Sequence, residues 1–247
     1  MTNEAHANAK PSGWVPRRFT RFRPTPESIA RKVSDLLGST NVGGAIEKLI
    51  AASPVAIPED PADQCELYIS RLLDPAAHYN LCVTSGGRPF SPGLTETGRN
   101  FTDRQAIDIL LEGGEGGLLR PNSVDSVGSG KGGAFCDCDV VDHRYVVAES
   151  DALTDEAQAA VALKLIQMGL DIRSVVHSGG KSLHLLIQVG AADAKSYRET
   201  VGLLFKRLIP LGFDPSTTNP SRFTRVPGFR RTRKDGSTGL QRLLYLR

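Results

Sequence analysis

The stretch that most constrains the fold is IRSVVHSGGKSLHLLIQV, residues 172–189, in which two apolar runs meet at Gly179-Gly180. Two runs of β-type residues separated by a glycine pair predict two strands joined by a turn. Strict alternation in the second run puts four apolar side chains on one face: Leu183, Leu185, Ile187 and Val189. That face needs a layer of helices to bury it.

Helical and β patterns flank this hairpin on both sides. Residues 154–170, TDEAQAAVALKLIQMGL, predict a helix that Thr154 caps and Gly169 ends. Residues 193–209 predict a second helix, capped by Asp193 and stopped by Pro210. RYVVAESD, residues 144–151, and LQRLLYLR, residues 240–247, predict strands. The order β, α, β-hairpin, α, β indicates an α+β fold of the split βαβ kind, with helices on one face of the sheet.

The first half of the chain is less regular. Residues 1–25 are rich in proline and basic residues and have no period, so we expect a flexible basic arm. Helices are expected near residues 25–37, 41–52, 61–73 and 103–111, and a strand is expected to begin at Tyr79. The glycine- and serine-rich residues 113–133 predict a long flexible connection.

Charge is distributed unevenly, although the formal net charge of the 247 residues is only +3. Seven basic residues face one acidic residue between Lys10 and Lys32, and eight face one between Arg222 and the C-terminus. Clustered arginine is what a polyanionic partner such as nucleic acid requires. No apolar run reaches the length of a membrane span, and no signal peptide is recognisable. Four cysteines in so long a chain indicate a reducing compartment, so we expect a cytoplasmic protein with no membrane partner.

The sequence SGGKS at the hairpin turn is not a nucleotide-binding P-loop. That motif requires a glycine five residues before its Gly-Lys pair, and Val175 stands there. The second candidate, Gly130-Lys131, has Asp125 at that position and Gly132 where serine or threonine is needed. As a hairpin, the stretch places Ser182 and His184 on the open face of the sheet, with Lys181 at the turn. A hydroxyl, an imidazole and an ammonium group there suit an anion such as a triphosphate.

Carboxylates follow the same alternation on the strand RYVVAESD. Glu149 and Asp151 are two residues apart and share a face, about 6–7 Å from each other. Two like charges at that distance repel unless a cation lies between them, as in the divalent metal sites of phosphoryl-transfer enzymes. Asp214 ends a later apolar run and is a third candidate ligand, although an Asp-Pro pair is also typical of a plain turn.

Together, Glu149-x-Asp151, Ser182-x-His184 and Asp214, in this order, resemble the archaeo-eukaryotic primase superfamily. The resemblance is to the catalytic domains of plasmid and phage primase-polymerases, which carry segments similar to SGGKSLH, NPSRFTRVPG and GLQRLLYL. It covers residues 140–247 closely and the preceding half loosely. The first motif is often Asp-x-Asp or Asp-x-Glu in the superfamily, whereas glutamate comes first here.

This resemblance implies DNA-templated primer synthesis on single-stranded DNA from nucleoside triphosphates. It implies that Glu149, Asp151 and Asp214 hold two Mg²⁺ or Mn²⁺ ions, and that Ser182, His184 and Lys181 hold the nucleotide phosphates. Arg222 and Arg225 would contact the nucleotide or the template backbone. It further implies an N-terminal α/β subdomain over residues 26–142, an RRM-like catalytic subdomain over residues 143–247, and a possible helicase partner on the same or another chain.

Two other functions use similar residues. A replication initiator or origin-binding module of the same fold would lack catalysis, and the complete acidic trio argues against it. A metal-dependent nuclease would use comparable carboxylates. A nicking relaxase is disfavoured, because His177 and His184 lie seven residues apart and do not bracket one hydrophobic residue.

A cysteine cluster, CDCDVVDH, precedes the catalytic strand. Cys136, Cys138 and His143 are three possible zinc ligands. Structural zinc sites usually space their cysteines two to four residues apart and need a fourth ligand, so buried or incidental cysteines are the favoured interpretation.

Overall fold

The computed structural model of the chain describes residues 24–85, 88–89, 93–113, 115–233 and 235–247. The predicted arm, apart from its last two residues, lies outside this part of the chain. The helices are α1 (Pro26–Leu37), α2 (Ala45–Ala51), α3 (Pro61–Leu72), α4 (Gly98–Phe101), α5 (Arg104–Gly113), α6 (Asp155–Gln167) and α7 (Ala194–Leu208). The strands are β1 (His78–Ser85), β2 (Arg88–Pro89), β3 (Leu94–Thr97), β4 (Glu115–Leu119), β5 (His143–Ala148), β6 (Ile172–Ser178), β7 (Leu183–Ala191), β8 (Thr224–Arg225), β9 (Arg230–Thr232) and β10 (Thr238–Leu246).

Local capping chemistry sets the helix ends. The Thr154 side chain accepts a hydrogen bond from the Ala157 N–H at the start of α6, and Asp193 accepts from two N–H groups at the start of α7. Past α6, Gly169 has a φ of 88°, which glycine adopts without strain. The predicted α+β class and both predicted caps are therefore confirmed.

The larger sheet has the strand order β5-β7-β6-β10-β9, and each neighbouring pair is antiparallel. Strands β6 and β7 are the predicted hairpin. The chain passes from β5 through α6 to β6, and β7 lies between those two strands. This is the split βαβ arrangement that the element order predicts.

Helices cover one face of this sheet. The side chains of Leu183, Leu185 and Ile187 are fully buried there against α6 and α7. Helices α1 and α2 join the same apolar cluster through Ile29 and Leu49. The alternation in β7 thus predicts the buried face correctly.

A second layer covers the opposite face of the larger sheet. Val147, Val176 and Leu186 pack there against Tyr68 of α3 and Leu119 of β4. This layer contains the smaller sheet, of order β2-β1-β4-β8, with β3 paired to the same edge of β1 as β2. Its strand β8 comes from residues 224–225, far along the chain. The predicted domain boundary between residues 142 and 143 stays a prediction. Helices α1 and α2, which precede it, pack on the larger sheet, and strand β8, which follows it, belongs to the smaller sheet.

The predicted connection over residues 113–133 is wrong in part, because it contains β4. Glycine makes that strand possible: a Cβ on Gly117 would lie 2.4 Å from the Phe229 ring. The strand therefore packs directly on an aromatic side chain. Its glycines lack the alternating side chains that mark a strand in a sequence. Among the described residues, no helix is both long and apolar enough to cross a bilayer.

Candidate active site

Glu149 lies at the centre of the candidate site, immediately after β5. In the pairing of β5 with β7, Val147 faces Leu186 and Ala148 faces Leu185, so the same register brings Glu149 opposite His184. The His184 Nε2 atom lies 2.9 Å from Glu149 Oε2. Arg222 Nη2 lies 2.6 Å from the other carboxylate oxygen. Glu149 is therefore held between a histidine and an arginine.

The electrostatics of this trio keep the carboxyl ionised and the imidazole neutral. Burial alone would raise the pKa of Glu149, but the contacts with His184 and Arg222 outweigh it and lower the pKa to about 2. Burial lowers the pKa of His184, and the nearby Arg225 and Arg222 lower it further against the opposing effect of Glu149. Neutral His184 then donates its Nε2–H to the carboxylate.

The face that carries His184 is not open, which corrects the sequence prediction. Ser182 is 8% exposed and His184 is 5% exposed, because the smaller sheet lies over this side of β7. The Nδ1 atom of His184 is buried and has no hydrogen-bond partner among the described residues. A buried ring nitrogen of this kind is available to a ligand.

The turn between β6 and β7 is held by short polar contacts. The Ser182 hydroxyl donates to Ser178 Oγ at 3.1 Å, and the Gly179 N–H donates to His177 Nδ1 at 3.1 Å. His177 Nε2 is 3.0 Å from Asp155 Oδ2 at the start of α6. Lys181 is exposed beside these groups. The structure thus brings the three predicted phosphate ligands to one turn, with the Ser182 hydroxyl already hydrogen-bonded.

Arginines surround the same turn. Arg225 on β8 has a pKa lowered to about 10 by burial and by the neighbouring cation Arg231. Within the described residues, Arg225 Nε and Nη1 are buried and have no hydrogen-bond partner. A Cβ on Gly180 would lie 3.2 Å from Arg231 Nη1, and Arg233 Nε donates to the Gly179 carbonyl at 2.9 Å. Arg231 and Arg233 belong to the C-terminal basic cluster, but the sequence does not reveal that they reach this turn.

The other two predicted acids lie on the far side of Glu149. The Asp214 N–H donates to the Glu149 carbonyl at 2.9 Å, and the Ser150 hydroxyl donates to the Gly212 carbonyl at 2.7 Å. These bonds end β5 at Ala148, so Asp151 lies in an exposed bend instead of on the strand face predicted for it. Asp151 and Asp214 nevertheless line one cleft of about 220 Å³.

The three carboxylates fit a divalent cation in chemistry but are not gathered around one point. The Asp214 oxygens accept from the N–H and hydroxyl of Ser216 at 2.8 and 2.7 Å, and both Glu149 oxygens are engaged as described above. Among the described residues, the group of three potential ligands within 4.8 Å of one another is a different one: Cys136, Cys138 and Asp139. Asp151 and Asp214 supply the hard oxygen atoms that Mg²⁺ and Mn²⁺ prefer, and Glu149 would first have to exchange one of its partners.

The cysteine cluster does not fit the possible zinc site. Cys136 and Cys138 are joined to each other by a disulfide. His143 lies on β5, where it is buried against the ring of Tyr197 at a centroid distance of 5.5 Å. Asp139 is the remaining group near the sulfurs, which leaves too few ligands for a closed tetrahedral site.

Comparison with solved structures finds several that align with about three quarters of this chain. The archaeo-eukaryotic primase domain of the cyanophage S-2L primase-polymerase is 19% identical, with a TM-score of 0.49 over 77% of this chain and 92% of that one. The catalytic domain of primase RepB', solved in complex with initiator DNA, is 13% identical, with a TM-score of 0.49 over 74% of this chain and 86% of that one. The polymerase domain of Mycobacterium tuberculosis ligase D, in complex with DNA, is 13% identical, with a TM-score of 0.37 over 74% and 79%.

No protein-family model matches the chain, and no curated protein matches it in sequence.

Proposed function

We propose that the protein is a nucleotidyltransferase that synthesises primers on single-stranded DNA from nucleoside triphosphates. The observation that carries this proposal is the pairing of two opposite kinds of site across Glu149. On one side lie the Nε and Nη1 atoms of Arg225, which are buried, have no hydrogen-bond partner among the described residues and suit an anion. On the other side, Asp151 and Asp214 line a cleft and suit a cation.

The anion side matches a triphosphate. Two buried guanidinium nitrogens without a partner among the described residues are costly in a folded protein, and a phosphate oxygen is the ligand that offsets that cost best. Arg231 adds a second cation at the glycine turn, where its Nη1 atom would lie 3.2 Å from a Cβ on Gly180. Arg225 and Arg231 would bind the phosphates, and exposed Lys181 would complete the set. His184 would contact the nucleotide through its Nδ1 acceptor, which suits a hydroxyl donor. Ser182 would contribute by holding the turn through Ser178.

The cation side matches the chemistry of chain extension. In nucleotidyl transfer, a 3′-hydroxyl attacks the α-phosphate of the triphosphate, a new P–O bond forms, and pyrophosphate leaves. Divalent ions, when bound, supply charge neutralisation and a more acidic hydroxyl. Asp151 and Asp214 would hold them. Glu149 would join by exchanging its contact with His184 for an ion, while Arg222 stays paired with its other oxygen.

The two alternatives differ from this proposal at specific residues. A non-catalytic DNA-binding module of this fold would use Arg225 for a DNA phosphate, but it has no use for the Asp151 and Asp214 carboxylates in one cleft. A nuclease would use the carboxylates but would not need the nucleotide side of the site. The cytoplasmic location and a helicase partner are expected on the same grounds as the primase activity and belong to the same proposal.

The test is a primer-synthesis reaction with single-stranded DNA, labelled nucleotides and Mg²⁺ or Mn²⁺. Asp151→Ala is the matched variant, since the side chain is exposed and its removal leaves the fold intact. We expect short labelled products from the unmutated protein and at least ~100-fold less from the variant, the scale on which loss of a metal ligand acts. Supplying ribo- or deoxynucleotides separately would identify the product.

Each alternative function predicts a different set of DNA products on the gel. DNA that is bound but yields no product with any nucleotide would contradict the proposal and favour the initiator module. A shortened template without nucleotide incorporation would favour the nuclease.

A further inference from the structure

We infer that Asp137 is a positioning residue, which fixes Arg222 against Glu149 through the backbone of residues 219–221. The expected effect on KM rests on the proposed function, whereas the structural role of Asp137 does not depend on it. No sequence motif marks Asp137, which lies between the two cysteines of the disulfide described above.

The contacts of Asp137 converge on the segment that precedes Arg222. Its Oδ1 atom accepts from the Ser221 hydroxyl at 2.5 Å, from the Ser221 N–H at 3.3 Å and from Asn219 Nδ2 at 3.3 Å. Asn219 Nδ2 also donates to Ser221 Oγ at 3.1 Å. One carboxylate oxygen therefore receives three of the hydrogen bonds that shape this segment.

Other buried groups hold the remaining polar atoms of the segment. Asn122, which is 1% exposed, donates from Nδ2 to the carbonyls of Pro220 and Tyr145 at 2.9 and 2.8 Å. Arg120 donates from Nη1 to the Ser221 carbonyl. Asn122 ties the segment to β5, the strand that ends at Glu149, so the two partners of the Arg222–Glu149 ion pair are mounted on one connected network.

Asp137 itself stands on a rigid support. It begins the 3₁₀ turn Asp137–Asp139, where buried Asp139 accepts from the Cys136 N–H at 2.7 Å and from the Ser129 N–H at 3.2 Å. Asp137 can therefore act as a fixed acceptor, and Arg222 can be placed with little freedom. Arg222 Nη2 donates to the Glu149 carboxylate at 2.6 Å. A binding site whose charged groups are already held in position loses less conformational freedom when a charged ligand binds.

Removal of this acceptor would act first on Arg222, which follows residues 219–221 directly. In Asp137→Ala, the two donors of Ser221 lose their acceptor, and Arg222 no longer has one fixed position. In Asp137→Asn, the Oδ1 acceptor remains, so the segment keeps its shape. The negative charge is lost in both variants, which separates an effect of geometry from an effect of charge.

The experiment compares the unmutated protein with five variants: Asp137→Ala, Asp137→Asn, Arg222→Ala, the Asp137→Ala/Arg222→Ala double variant, and Asp125→Ala. Asp125 is an exposed carboxylate before the same turn and serves as the matched control. The first readout is the NMR signal of the Arg222 Nε–H, assigned by its loss in Arg222→Ala. The second readout is the KM for the nucleoside triphosphate, with kcat and thermal stability recorded beside it.

We expect the Arg222 signal to move toward that of a free arginine in Asp137→Ala and to stay in place in Asp137→Asn and Asp125→Ala. We expect KM to rise ~10-fold in Asp137→Ala at nearly constant kcat, and Asp137→Asn to remain within ~2-fold of the unmutated protein. In the Arg222→Ala background, the second substitution should add less than ~2-fold, because two residues that act through one contact are not additive.

Two results would overturn the inference. One is an Arg222 signal that does not move in Asp137→Ala. The other is a KM effect of Asp137→Ala that persists in full without Arg222. Failure of the proposed function gives a different pattern: the Arg222 signal moves as expected, but the unmutated protein neither binds nor incorporates nucleotides.

Discussion

At the scale of single residues, the site is built from groups whose hydrogen-bonding capacity is only partly used. Glu149 has both oxygens engaged, whereas Arg225 Nε and His184 Nδ1 are buried and unpartnered within the described residues. Most buried polar atoms in native proteins have a partner, so two such atoms near one carboxylate indicate a place for a ligand. Their cost to stability is the expected counterpart of their use in binding.

Arg225→Met tests that trade-off directly. Methionine keeps an unbranched stem of similar length and removes the unpaired charge, so the free energy of unfolding should rise by about 1 kcal/mol, the scale of one unsatisfied buried group. The affinity for a nucleoside triphosphate should fall ~10-fold or more, because a charged hydrogen bond to phosphate is lost. Urea denaturation and calorimetric titration measure the two effects.

The matched control is Arg242→Met, since Arg242 is exposed on β10. It should leave both quantities nearly unchanged. A less stable Arg225→Met protein with unchanged nucleotide affinity would mean that Arg225 is structural.

The residue types of the site are predictable from the sequence, but their partners are not. Alternation places Glu149 and His184 on equivalent faces of their own strands, because the period of two is a local property. That they contact each other depends on the register of β5 against β7, which is set across the sheet. Asp151 departs from its predicted face because Ser150 bonds to Gly212, a residue sixty-two positions away.

At the scale of elements, the turn between β6 and β7 is supported by the neighbouring strand β10. A Cβ on Gly239 would lie 2.0 Å from the Gly179 carbonyl oxygen, so the two backbones approach more closely than any side chain allows. Arg233 bonds to the same carbonyl. The position of the turn at Gly179-Gly180 therefore depends on a glycine in another strand.

Gly239→Ala should displace this turn. Because the obstructing atom belongs to the backbone, the chain has to shift, and we expect a loss of about 2 kcal/mol in the free energy of unfolding, as for other overpacked sites. Nucleotide affinity should fall with it, whereas the helices should keep their circular dichroism. Thermal denaturation and nucleotide titration are the measurements.

Gly43→Ala is the control for a general effect of added bulk, since its Cβ would meet only Asn41 Oδ1, at an ordinary 3.4 Å. If Gly239→Ala is as stable as the unmutated protein and binds nucleotide equally well, the close approach of the two backbones does not support the turn.

Elements with local signals are the ones that the sequence predicts. Helices α1, α3, α6 and α7 have capping residues and a regular apolar face, and the hairpin has its glycine pair. Strands β3, β8 and β9 are two to four residues long, too short for a period to be visible. They form because a neighbouring strand provides an edge to pair with, and the residues of that neighbour lie elsewhere in the chain.

At the scale of the whole molecule, exposed basic residues lie on β9 and β10, at one edge of the larger sheet. Arg230 and Arg242 are exposed there, whereas Lys206 and Arg207 are exposed on α7, which packs on the helix-covered face of the larger sheet. A template strand that enters the site would run along β9 and β10 and would release counterions from these arginines.

The salt dependence of DNA binding should distinguish the two surfaces. The slope of log affinity against log salt should become shallower by about 0.7 for each phosphate contact removed from a single strand. Arg230→Ala/Arg242→Ala should therefore reduce the slope by about 1.4, and Lys206→Ala/Arg207→Ala should leave it unchanged. Fluorescence anisotropy over a salt series measures both, and an equal effect of the two pairs would contradict the assignment of the template surface.

The partnership of β8 with β4 has a consequence for how the protein is made. During synthesis on the ribosome, β4 emerges about a hundred residues before residues 224–225, which form its neighbour. Until then, the edge of β4 that pairs with β8 stays unpaired. The apolar faces of α1 and α2 also stay uncovered, because the larger sheet on which they pack has not yet been translated. The nascent chain must therefore hold its first half in an unfinished state until β8 and β10 have joined the two sheets.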